Sequence, residues 1–299
     1  MTLKKYKRIG LFDSGVGGLS VLRSLAGSSG NLNGLEFIYL GDTARCPYGN
    51  RDSAEIGKFV SEIVGWLTNF QLDAVIMACN TSAAVAKAEA QRQCARVPSL
   101  DLFDLIEPTA AFIASRSFKS VGVMATRATV NAAAFSRALA RLDYKGVVKE
   151  VACPLLVPII ESGELGLPER DQELKAALRT YLEELKGADA IVLGCTHFPF
   201  VAGQIRQIIS EEFAAYFPDV LLIDPASVLA EQLFGRCASN LEAINYDHPA
   251  FKIYTTGQVE DFKRAAVTCS FANIAPSHLD ISELGNASAA EAVAVHIGL

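Results

Sequence analysis

The chain has 299 residues, of which 51% are hydrophobic and 20% are charged, and its formal net charge is −6. This composition excludes an intrinsically disordered chain, and because no block of basic residues occurs, nucleic acid is not an expected partner. No run of about 18 apolar residues is present, and the basic start of the chain lacks a secretory segment. The sequence therefore predicts a globular, cytoplasmic protein with no membrane partner.

Short apolar runs alternate with longer helical patterns along the whole chain. The runs are nearly all apolar, as expected for parallel strands that are covered on both faces. This alternation predicts an α/β fold with mainly parallel sheets. The predicted strands are Arg8–Phe12, Glu36–Leu40, Ala74–Ala78, Ser120–Met124, Ala190–Leu193 and Val220–Ile223. The predicted helices include Ser53–Phe70, Ser82–Gln93, Ala132–Arg141 and Asp171–Leu185.

The seven cysteines stand singly and far apart. An odd, scattered set is a poor disulfide framework, and it lacks the CxxC spacing that is typical of metal sites. We therefore expect reduced thiols, each either buried or reactive, and no metal site. The cysteines are Cys46, Cys79, Cys94, Cys153, Cys195, Cys237 and Cys269.

An internal repetition is the most informative feature of the sequence. Asp73–Cys79 reads DAVIMAC and Asp189–Cys195 reads DAIVLGC, at an offset of 116 residues. A second pair, Ile9–Ser14 and Val121–Thr126, repeats in the same order at an offset of 112 residues. Each segment is a predicted strand that runs into a loop and then a helix. The repetition therefore predicts two pseudo-symmetric α/β halves.

Cys79 and Cys195 end two of the repeated strands, and ligands of parallel α/β sheets bind at the carboxyl ends of strands. Two halves that face each other place one thiol on each side of a shared cleft. Racemisation removes a proton from one face of Cα and returns one to the other face, which a thiolate and a thiol can do together. The unperturbed thiol pKa of about 8.5 allows modest electropositive surroundings to form the thiolate. His197 and the helix N-termini after the two cysteines can provide such surroundings.

The segment DSGVGG, which begins at Asp13, admits three interpretations. It resembles a glycine-rich phosphate loop, but it lacks the full GxGxxG pattern and Asp13 would repel a phosphate. An Asp at the end of a strand fits a bound ammonium group better. Asp13 or Ser14 can also cap a helix.

Eight motifs resemble the glutamate racemase family and stand in the family's order from Ile9 to about Ala265. The paired ACNT and GCTH segments are highly specific together. The resemblance implies two α/β domains, residues 1–102 plus 219–299 and residues 103–218, with the active site in the cleft between them. The motifs are GLFDSGVGGLSV (Gly10–Val21), YLGDTARCPYG (Tyr39–Gly49), ACNTSAA (Ala78–Ala84), GVMATRATV (Gly122–Val130), VPIIESG (Val157–Gly163), GCTHFPF (Gly194–Phe200), IDPA (Ile223–Ala226) and YTTG (Tyr254–Gly257).

The resemblance also implies roles for individual residues. Cys79 and Cys195 are expected to be the two acid/base residues, Cys79 for D-glutamate and Cys195 for L-glutamate. Asp13, Glu161 and His197 are expected to tune the thiols. The expected substrate-binding residues are Asp13, Ser14, Pro47, Tyr48, Gly49, Asn80, Thr81, Thr126, Thr129, Thr196 and His197.

The implied activity is the interconversion of L- and D-glutamate without a cofactor, which supplies D-glutamate for bacterial peptidoglycan. A homodimer is expected. Three alternatives stay open: an aspartate or hydantoin racemase, a decarboxylase relative that keeps one cysteine, and a clamp that binds an amino acid without catalysis. The presence of both cysteines argues against the decarboxylase, and a clamp has no need of a thiol on each side of Cα.

Some features depart from the family pattern. Cys46 stands beside Pro47 where an unreactive residue is usual, and it is expected to be exposed in a polar loop near the site. Asn131 and Phe135 replace the usual Ser and Tyr. The chain past Ala265 is longer than usual, and its tail from about Ser270 to Leu299 is expected to form a last helix or a loosely ordered end. The cysteines expected to be simply buried are Cys94, Cys153, Cys237 and Cys269.

Overall fold

The computed structural model describes residues 6–29, 34–235, 250–271 and 274–284. Strands and helices alternate through these ranges, as the sequence predicts. The strands are β1 (Arg8–Asp13), β2 (Glu36–Gly41), β3 (Ala74–Met77), β4 (Asp101–Asp104), β5 (Ser120–Ala125), β6 (Val147–Ala152), β7 (Ala190–Gly194), β8 (Leu221–Ile223), β9 (Phe251–Thr255) and β10 (Ser277–His278).

Helices connect the strands and cover both sheets. Single turns of 3-10 helix occur at Thr43–Arg45, Tyr48–Asn50, Thr68–Phe70 and Phe198–Val201. The α-helices are α1 (Leu19–Ser29), α2 (Ser53–Leu67), α3 (Asn80–Cys94), α4 (Ile106–Ala114), α5 (Arg127–Asn131), α6 (Ala134–Arg141), α7 (Leu156–Glu161), α8 (Pro168–Glu184), α9 (Ala202–Glu212), α10 (Pro225–Phe234), α11 (Val259–Thr268) and α12 (Ile281–Leu284). None of these helices is long and apolar enough to cross a bilayer.

The strands form two parallel sheets, which confirms the predicted α/β fold. The first sheet has the order β10-β9-β2-β1-β3-β4, and the second has the order β6-β5-β7-β8. Every strand pair in both sheets is parallel. Since β4 belongs to the first sheet and β8 to the second, the sequence-based boundary at 102/103 cuts through β4, and the one at 218/219 precedes β8. The division into two domains stays a prediction.

All six predicted strands are present, but four others were not predicted. Of these, β4 and β6 are edge strands that carry charged residues, for example Lys149 and Glu150 of β6. The predicted helix Ala132–Arg141 is wrong at its start, because Ala133 adopts a left-handed conformation, with φ 47°, between α5 and α6. Part of the chain past Ala265 adds β10 to the first sheet, and residues 285–299 lie outside the described residues.

The repetition in the sequence is also present in the backbone contacts. The Asp73 carboxylate, just before β3, accepts hydrogen bonds from the backbone N–H groups of Lys7 and Arg8 at 2.8 and 2.9 Å. The Asp189 carboxylate, just before β7, accepts the equivalent bonds from Lys119 and Ser120 at 2.6 and 3.0 Å. Each Asp therefore fixes the start of the neighbouring central strand in its own half.

Helix α2 shows how the helices are built and how they cover the sheets. Its N-cap, Asp52, accepts a hydrogen bond from the backbone N–H of Ala54 at 2.8 Å. Its apolar residues recur at three- and four-residue spacing, so they form one buried stripe. Each fully buried Ile, Val or Leu contributes about 1.5–3 kcal/mol by leaving water. The buried apolar side chains of α2 are Ile56, Phe59, Val60, Ile63, Val64, Trp66 and Leu67.

Gly194 gives a test of how tightly the second sheet is packed. A Cβ at Gly194 would lie 2.9 Å from the backbone oxygen of Met124 and 3.1 Å from the ring of Phe135. We predict that Gly194→Ala destabilises the protein by about 1–3 kcal/mol, because a backbone atom has to shift. Chemical denaturation measures the change.

The matched control is Gly203→Ala in α9, where an added Cβ meets nothing within 4 Å. Alanine is a better helix former than glycine, so this variant should be stabilised by up to about 1 kcal/mol. Equal effects of the two substitutions would show that packing around Gly194 is not the cause.

Candidate active site

The candidate site lies at the carboxyl ends of the central strands of both sheets, as the sequence predicts. Asp13 ends β1, and Cys79 follows β3 and caps α3. In the second half, Thr126 follows β5 and caps α5, and Cys195 follows β7. The loops that follow β1, β3, β5 and β7 therefore all lie at the candidate site.

Both cysteines line one cavity, together with most of the predicted substrate-binding residues. The predicted residues that line it are Ser14, Pro47, Tyr48, Gly49, Cys79, Asn80, Thr81, Thr126, Cys195, Thr196 and His197. Three predicted residues, Asp13, Glu161 and Thr129, lie behind this lining and contact its members. While the cavity has this shape, these three residues can therefore influence a ligand only through their hydrogen bonds to the lining residues and through their charge.

Cys79 is a buried thiol at the start of a helix. Its Sγ accepts a hydrogen bond from the backbone N–H of Ser82 at 3.5 Å and lies 4.0 Å from the hydroxyl of Ser14. Burial first and the charge of Asp13 second raise the pKa of Cys79 to about 11, against the opposing effect of its hydrogen bonds with Ser82. Cys79 is therefore a neutral thiol at neutral pH, with a proton to donate.

Cys195 has a different environment, because a histidine lies beside its sulfur. Nδ1 of His197 lies 3.6 Å from Cys195 Sγ, and Nε2 donates to Glu161 Oε1 at 2.6 Å. Burial lowers the pKa of His197, but the bonds to Cys195 and Glu161 outweigh it and hold the pKa well above 6.5. His197 is therefore an imidazolium that presents an N–H to the sulfur of Cys195.

Glu161 is the counter-ion of His197. Burial alone would raise its pKa, but the bond and charge of His197 and a bond from the Val16 backbone N–H, at 3.1 Å, together lower it. Glu161 comes from α7 of the second half, whereas Val16 belongs to the loop after β1. The ion pair is therefore held from both halves of the chain.

Asp13 links the two halves directly. Its carboxylate accepts a bond from the backbone N–H of Gly15 at 2.8 Å and one from the Thr196 hydroxyl at 3.1 Å. The side chain is fully buried, and burial raises the pKa of its carboxyl despite the nearby charge of His197. A second hydrogen bond between the two halves runs from the Ser20 hydroxyl to the Thr196 carbonyl, at 2.9 Å.

The glycines of DSGVGG let the loop after β1 approach the histidine. A Cβ at Gly17 would lie 2.4 Å from Nδ1 of His197, and one at Gly15 would lie 2.2 Å from Glu161 Oε1. Of the three interpretations, the phosphate loop fits least, since Asp13 and Glu161 place two carboxyl groups beside this backbone. The glycines serve close packing between the halves.

The loop that carries Pro47, Tyr48 and Gly49 is held by a buried carboxylate. Asp42 accepts from Arg45 Nε and from the Thr256 hydroxyl, each at 2.7 Å, and from the Tyr48 hydroxyl. These bonds fix the loop to the segment after β9. A cis peptide precedes Pro47.

Cys46 lies in this loop, near the site as predicted, but it is half-buried rather than exposed. Its sulfur lies close to the loop after β1, 3.2 Å from where a Cβ of Gly15 would be. Burial raises the pKa of Cys46 well above its ordinary value, and the charges of Glu161 and Asp13 add to this effect. Cys46 is therefore a neutral thiol at neutral pH.

Further polar groups of the cavity come from α3 and from the start of α5. The Thr81 hydroxyl lies 2.9 Å from that of Thr126, which lies 3.0 Å from that of Thr129. The amide oxygen and nitrogen of Asn80 are buried, and neither has a hydrogen-bond partner in the part of the chain that the structure describes. A buried amide without a partner is costly, so the Asn80 side chain is available to a ligand.

Sequence reasoning missed part of the cavity lining. Cys153 was expected to be simply buried, and it is buried, but it lines the cavity as well. Arg127 and Val157 fall inside two of the quoted motifs, which was the signal available for them. Cys94 and Cys269 are buried as expected, and Cys237 lies outside the described residues. The missed lining residues are Asn50, Arg127, Cys153, Pro154, Val157 and Pro158.

Comparison with family models matches residues 9–233 to the family described as Asp/Glu/Hydantoin racemase. The chain belongs to this family. The resemblance that the motifs indicated is thus confirmed, as is the prediction that the chain is an amino-acid racemase.

Individual relatives agree with the family match. The chain is 41% identical to the glutamate racemase of Synechococcus sp. (strain CC9605) over 227 residues, 75% of this chain and 78% of the relative. It is 41% identical to that of Desulforudis audaxviator over 268 residues, 86% and 92% of the two chains. The crystal structure of glutamate racemase from Francisella tularensis in complex with D-glutamate aligns with a TM-score of 0.75 at 27% identity, covering 92% of this chain and 98% of that one.

The His197–Glu161 pair predicts a shifted histidine titration. Glu161→Gln removes the negative charge that favours the imidazolium, so the pKa of His197 should fall. NMR titration of labelled histidines measures it, and His278→Gln, which removes an exposed histidine, helps to assign the signals. An unchanged His197 pKa would show that Glu161 is not its counter-ion.

The same pair predicts a window of stability. Because the folded pKa of His197 is raised, its contribution is complete below about pH 6.5 and is lost as the pH rises through the folded pKa. Because the folded pKa of Glu161 is lowered, its contribution is present above about pH 4.5 and is lost as the pH falls through the folded value. Glu161→Gln should therefore lower the stability of the protein most between about pH 4.5 and pH 6.5, where both contributions are present. Chemical denaturation across this pH range measures the loss.

The hydrogen bonds that Asp42 accepts predict that its substitution disorders the loop of Pro47, Tyr48 and Gly49. Asp42→Asn leaves Arg45 without one buried counter-charge and should cost about 3–5 kcal/mol of stability. Since Tyr48 and Gly49 line the cavity, the KM for substrate should also rise. The control Thr256→Val removes a hydroxyl that donates to Asp42 and accepts from the Ala44 backbone N–H, and it should cost less, about 1.5–3 kcal/mol. Equal losses in the two variants would contradict the central role of the carboxylate.

Proposed function

We propose that this chain is a glutamate racemase that works without a cofactor. The observation that carries the proposal is that Cys79 and Cys195, from the equivalent strand ends of two sheets, line one cavity. In the direction from L to D, the Cys195 thiolate takes the Cα proton and the Cys79 thiol donates its proton to the opposite face. The roles reverse in the direction from D to L.

The surroundings of the two thiols support these roles. Cys79 holds its proton at neutral pH, so it is ready to act as the acid. Cys195 lies beside the imidazolium of His197, which can stabilise negative charge on the sulfur. Asp13 is close enough to both Cys79 and His197 to influence their charges. We propose that Asp13, Glu161 and His197 tune the two thiols.

The choice of glutamate rests on the relatives and on the polar lining. Both curated relatives quoted above are named glutamate racemases, and the solved structure quoted holds D-glutamate. The unpartnered amide of Asn80 and the hydroxyls of Thr81, Thr126 and Thr196 suit carboxylate groups of a substrate. An aspartate or hydantoin racemase is the alternative within the family. A binding protein without catalysis is the alternative outside it.

The wider role follows from this activity. A bacterial enzyme of this kind would supply D-glutamate for peptidoglycan in the cytoplasm. The homodimer, the absence of a cofactor and the absence of a metal stay predictions. Among the described residues, no group of three or more His, Cys, Asp or Glu side chains can hold a metal ion.

The two-thiol mechanism predicts distinct half-reactions for the two cysteine variants. Cys79→Ser and Cys195→Ser should each lower racemisation of glutamate by at least about 10²-fold, because a hydroxyl is a far poorer base. A substrate analogue with a leaving group on the β-carbon needs only the first proton removal. Cys79→Ser should still eliminate from the L analogue, and Cys195→Ser from the D analogue.

Circular dichroism follows racemisation of L-glutamate, and Cys94→Ser, which changes a buried thiol at the far end of α3, is the control. Racemisation of L-aspartate but not of L-glutamate would select the alternative substrate. Tight binding without racemisation would select the binding protein. Elimination from the same enantiomer in both variants would contradict the assignment of the two faces.

A further inference from the structure

Arg127 is a cation at the cavity with no role so far. It is the first residue of α5, it is exposed, and it lines the cavity. Among the described residues that line the cavity, it alone is an Arg or Lys. No ion pair of Arg127 occurs within the described ranges, whereas Arg141 of the neighbouring α6 pairs with Glu107. Its guanidinium is therefore available to an anion in the cavity.

The groups behind the cavity do not offer a net positive charge. Glu161 and His197 form an ion pair, so their charges cancel. Asp13 adds negative charge whenever it is ionised, and so does a thiolate at either cysteine. An acidic amino acid carries two carboxylates and one ammonium group, so it enters with a net negative charge. Among the side chains that line this cavity or lie directly behind it, Arg127 is therefore the one positive charge that no described carboxylate balances.

We propose that Arg127 is a substrate-recruiting residue, which attracts the carboxylates of an acidic amino acid to the cavity and favours acidic over neutral substrates. The proposal rests on the proposed function in one respect, since it takes the substrate to be an acidic amino acid. Arg127 lies at the exposed side of the site, so it acts on entry and binding, whereas the thiols act on Cα. Charge in a cleft concentrates its field and raises the rate of association of an opposite charge.

Kinetics give the first test, on the full-length chain. Arg127→Ala should raise the KM for glutamate by about threefold to tenfold and leave kcat within about twofold, as expected for one partly solvated ion pair that binds substrate and transition state alike. Arg127→Lys should retain most of the affinity, because it keeps the charge. The difference between wild type and Arg127→Ala should shrink at about 1 M salt, where charges are screened beyond about 3 Å.

The matched control is Arg137→Ala. Arg137 is exposed on α6 and does not line this cavity, so its removal changes the net charge equally but leaves the site intact. The proposal requires that KM changes in the Arg127→Ala variant and not in the Arg137→Ala variant. An unchanged KM in Arg127→Ala, or an equal change in both variants, would overturn it. A fall in kcat in Arg127→Ala that is also present in Arg127→Lys would overturn it too, because Arg127 would then act on the structure of the site or on the reaction itself.

Alkylation of the thiols gives a second test that does not depend on racemase activity. Iodoacetate is an anion and iodoacetamide is neutral, and both react with the same thiolate, so the ratio of their rates isolates the effect of charge. Peptide mass spectrometry measures this ratio at Cys79 and Cys195. Arg127→Ala should lower the ratio by about threefold to tenfold at low salt, and Arg137→Ala should not.

The two tests separate the possible failures. If the wild type does not racemise glutamate but the alkylation ratio falls in Arg127→Ala, the proposed substrate is wrong and the recruiting charge stands. If the wild type racemises glutamate but neither KM nor the ratio changes in Arg127→Ala, the function stands and the recruiting role is wrong.

Discussion

The hydrogen bond from the Thr196 hydroxyl to the buried Asp13 carboxyl joins the strand ends of the two sheets, and the cavity depends on this link. Thr196 follows Cys195 directly, so the bond also sets how far the second thiol stands from the first half. Two more bonds join the halves here: the Ser20 hydroxyl donates to the Thr196 carbonyl, and the Val16 backbone N–H donates to Glu161. A site shared by two halves needs such bonds, because each half alone supplies only one of the two equivalent thiols, Cys79 or Cys195, and part of the cavity lining.

The two thiols occupy equivalent places but different electrostatic environments. Cys79 lies near Asp13 and accepts one backbone N–H bond, so its neutral form is favoured. Cys195 lies against the imidazolium of His197, which Glu161 keeps protonated. Both sulfurs are buried, so the two sites differ in their neighbouring charges rather than in their exposure. The proposed exchange of protons at a single carbon needs one group that gives a proton and one that takes it, and the unlike surroundings of the two thiols suit such a division.

The sequence predicted the central strands, because strands covered on both faces must be apolar throughout. It missed β6, whose exposed edge tolerates Lys149 and Glu150, and it missed the break at Ala133, where no Gly or Pro marks the turn. The repeated DAVIMAC and DAIVLGC segments placed both thiols correctly. Arg127 was missed because the sequence does not distinguish an exposed helical arginine beside a cavity from one that only contacts solvent.

The repetition of the two halves is incomplete, and this has a consequence for kinetics. Ala78 precedes one thiol, whereas Gly194 precedes the other, at a point where the backbone of Met124 leaves no room for a methyl group. In the proposed mechanism, the two directions of reaction therefore start from unlike surroundings. Yet enantiomers have equal free energies in water, so the equilibrium constant of a racemase is unity. Whatever this enzyme gains in turnover in one direction must be matched by a proportionate change in Michaelis constant, so that the ratio kcat/KM is the same for both enantiomers.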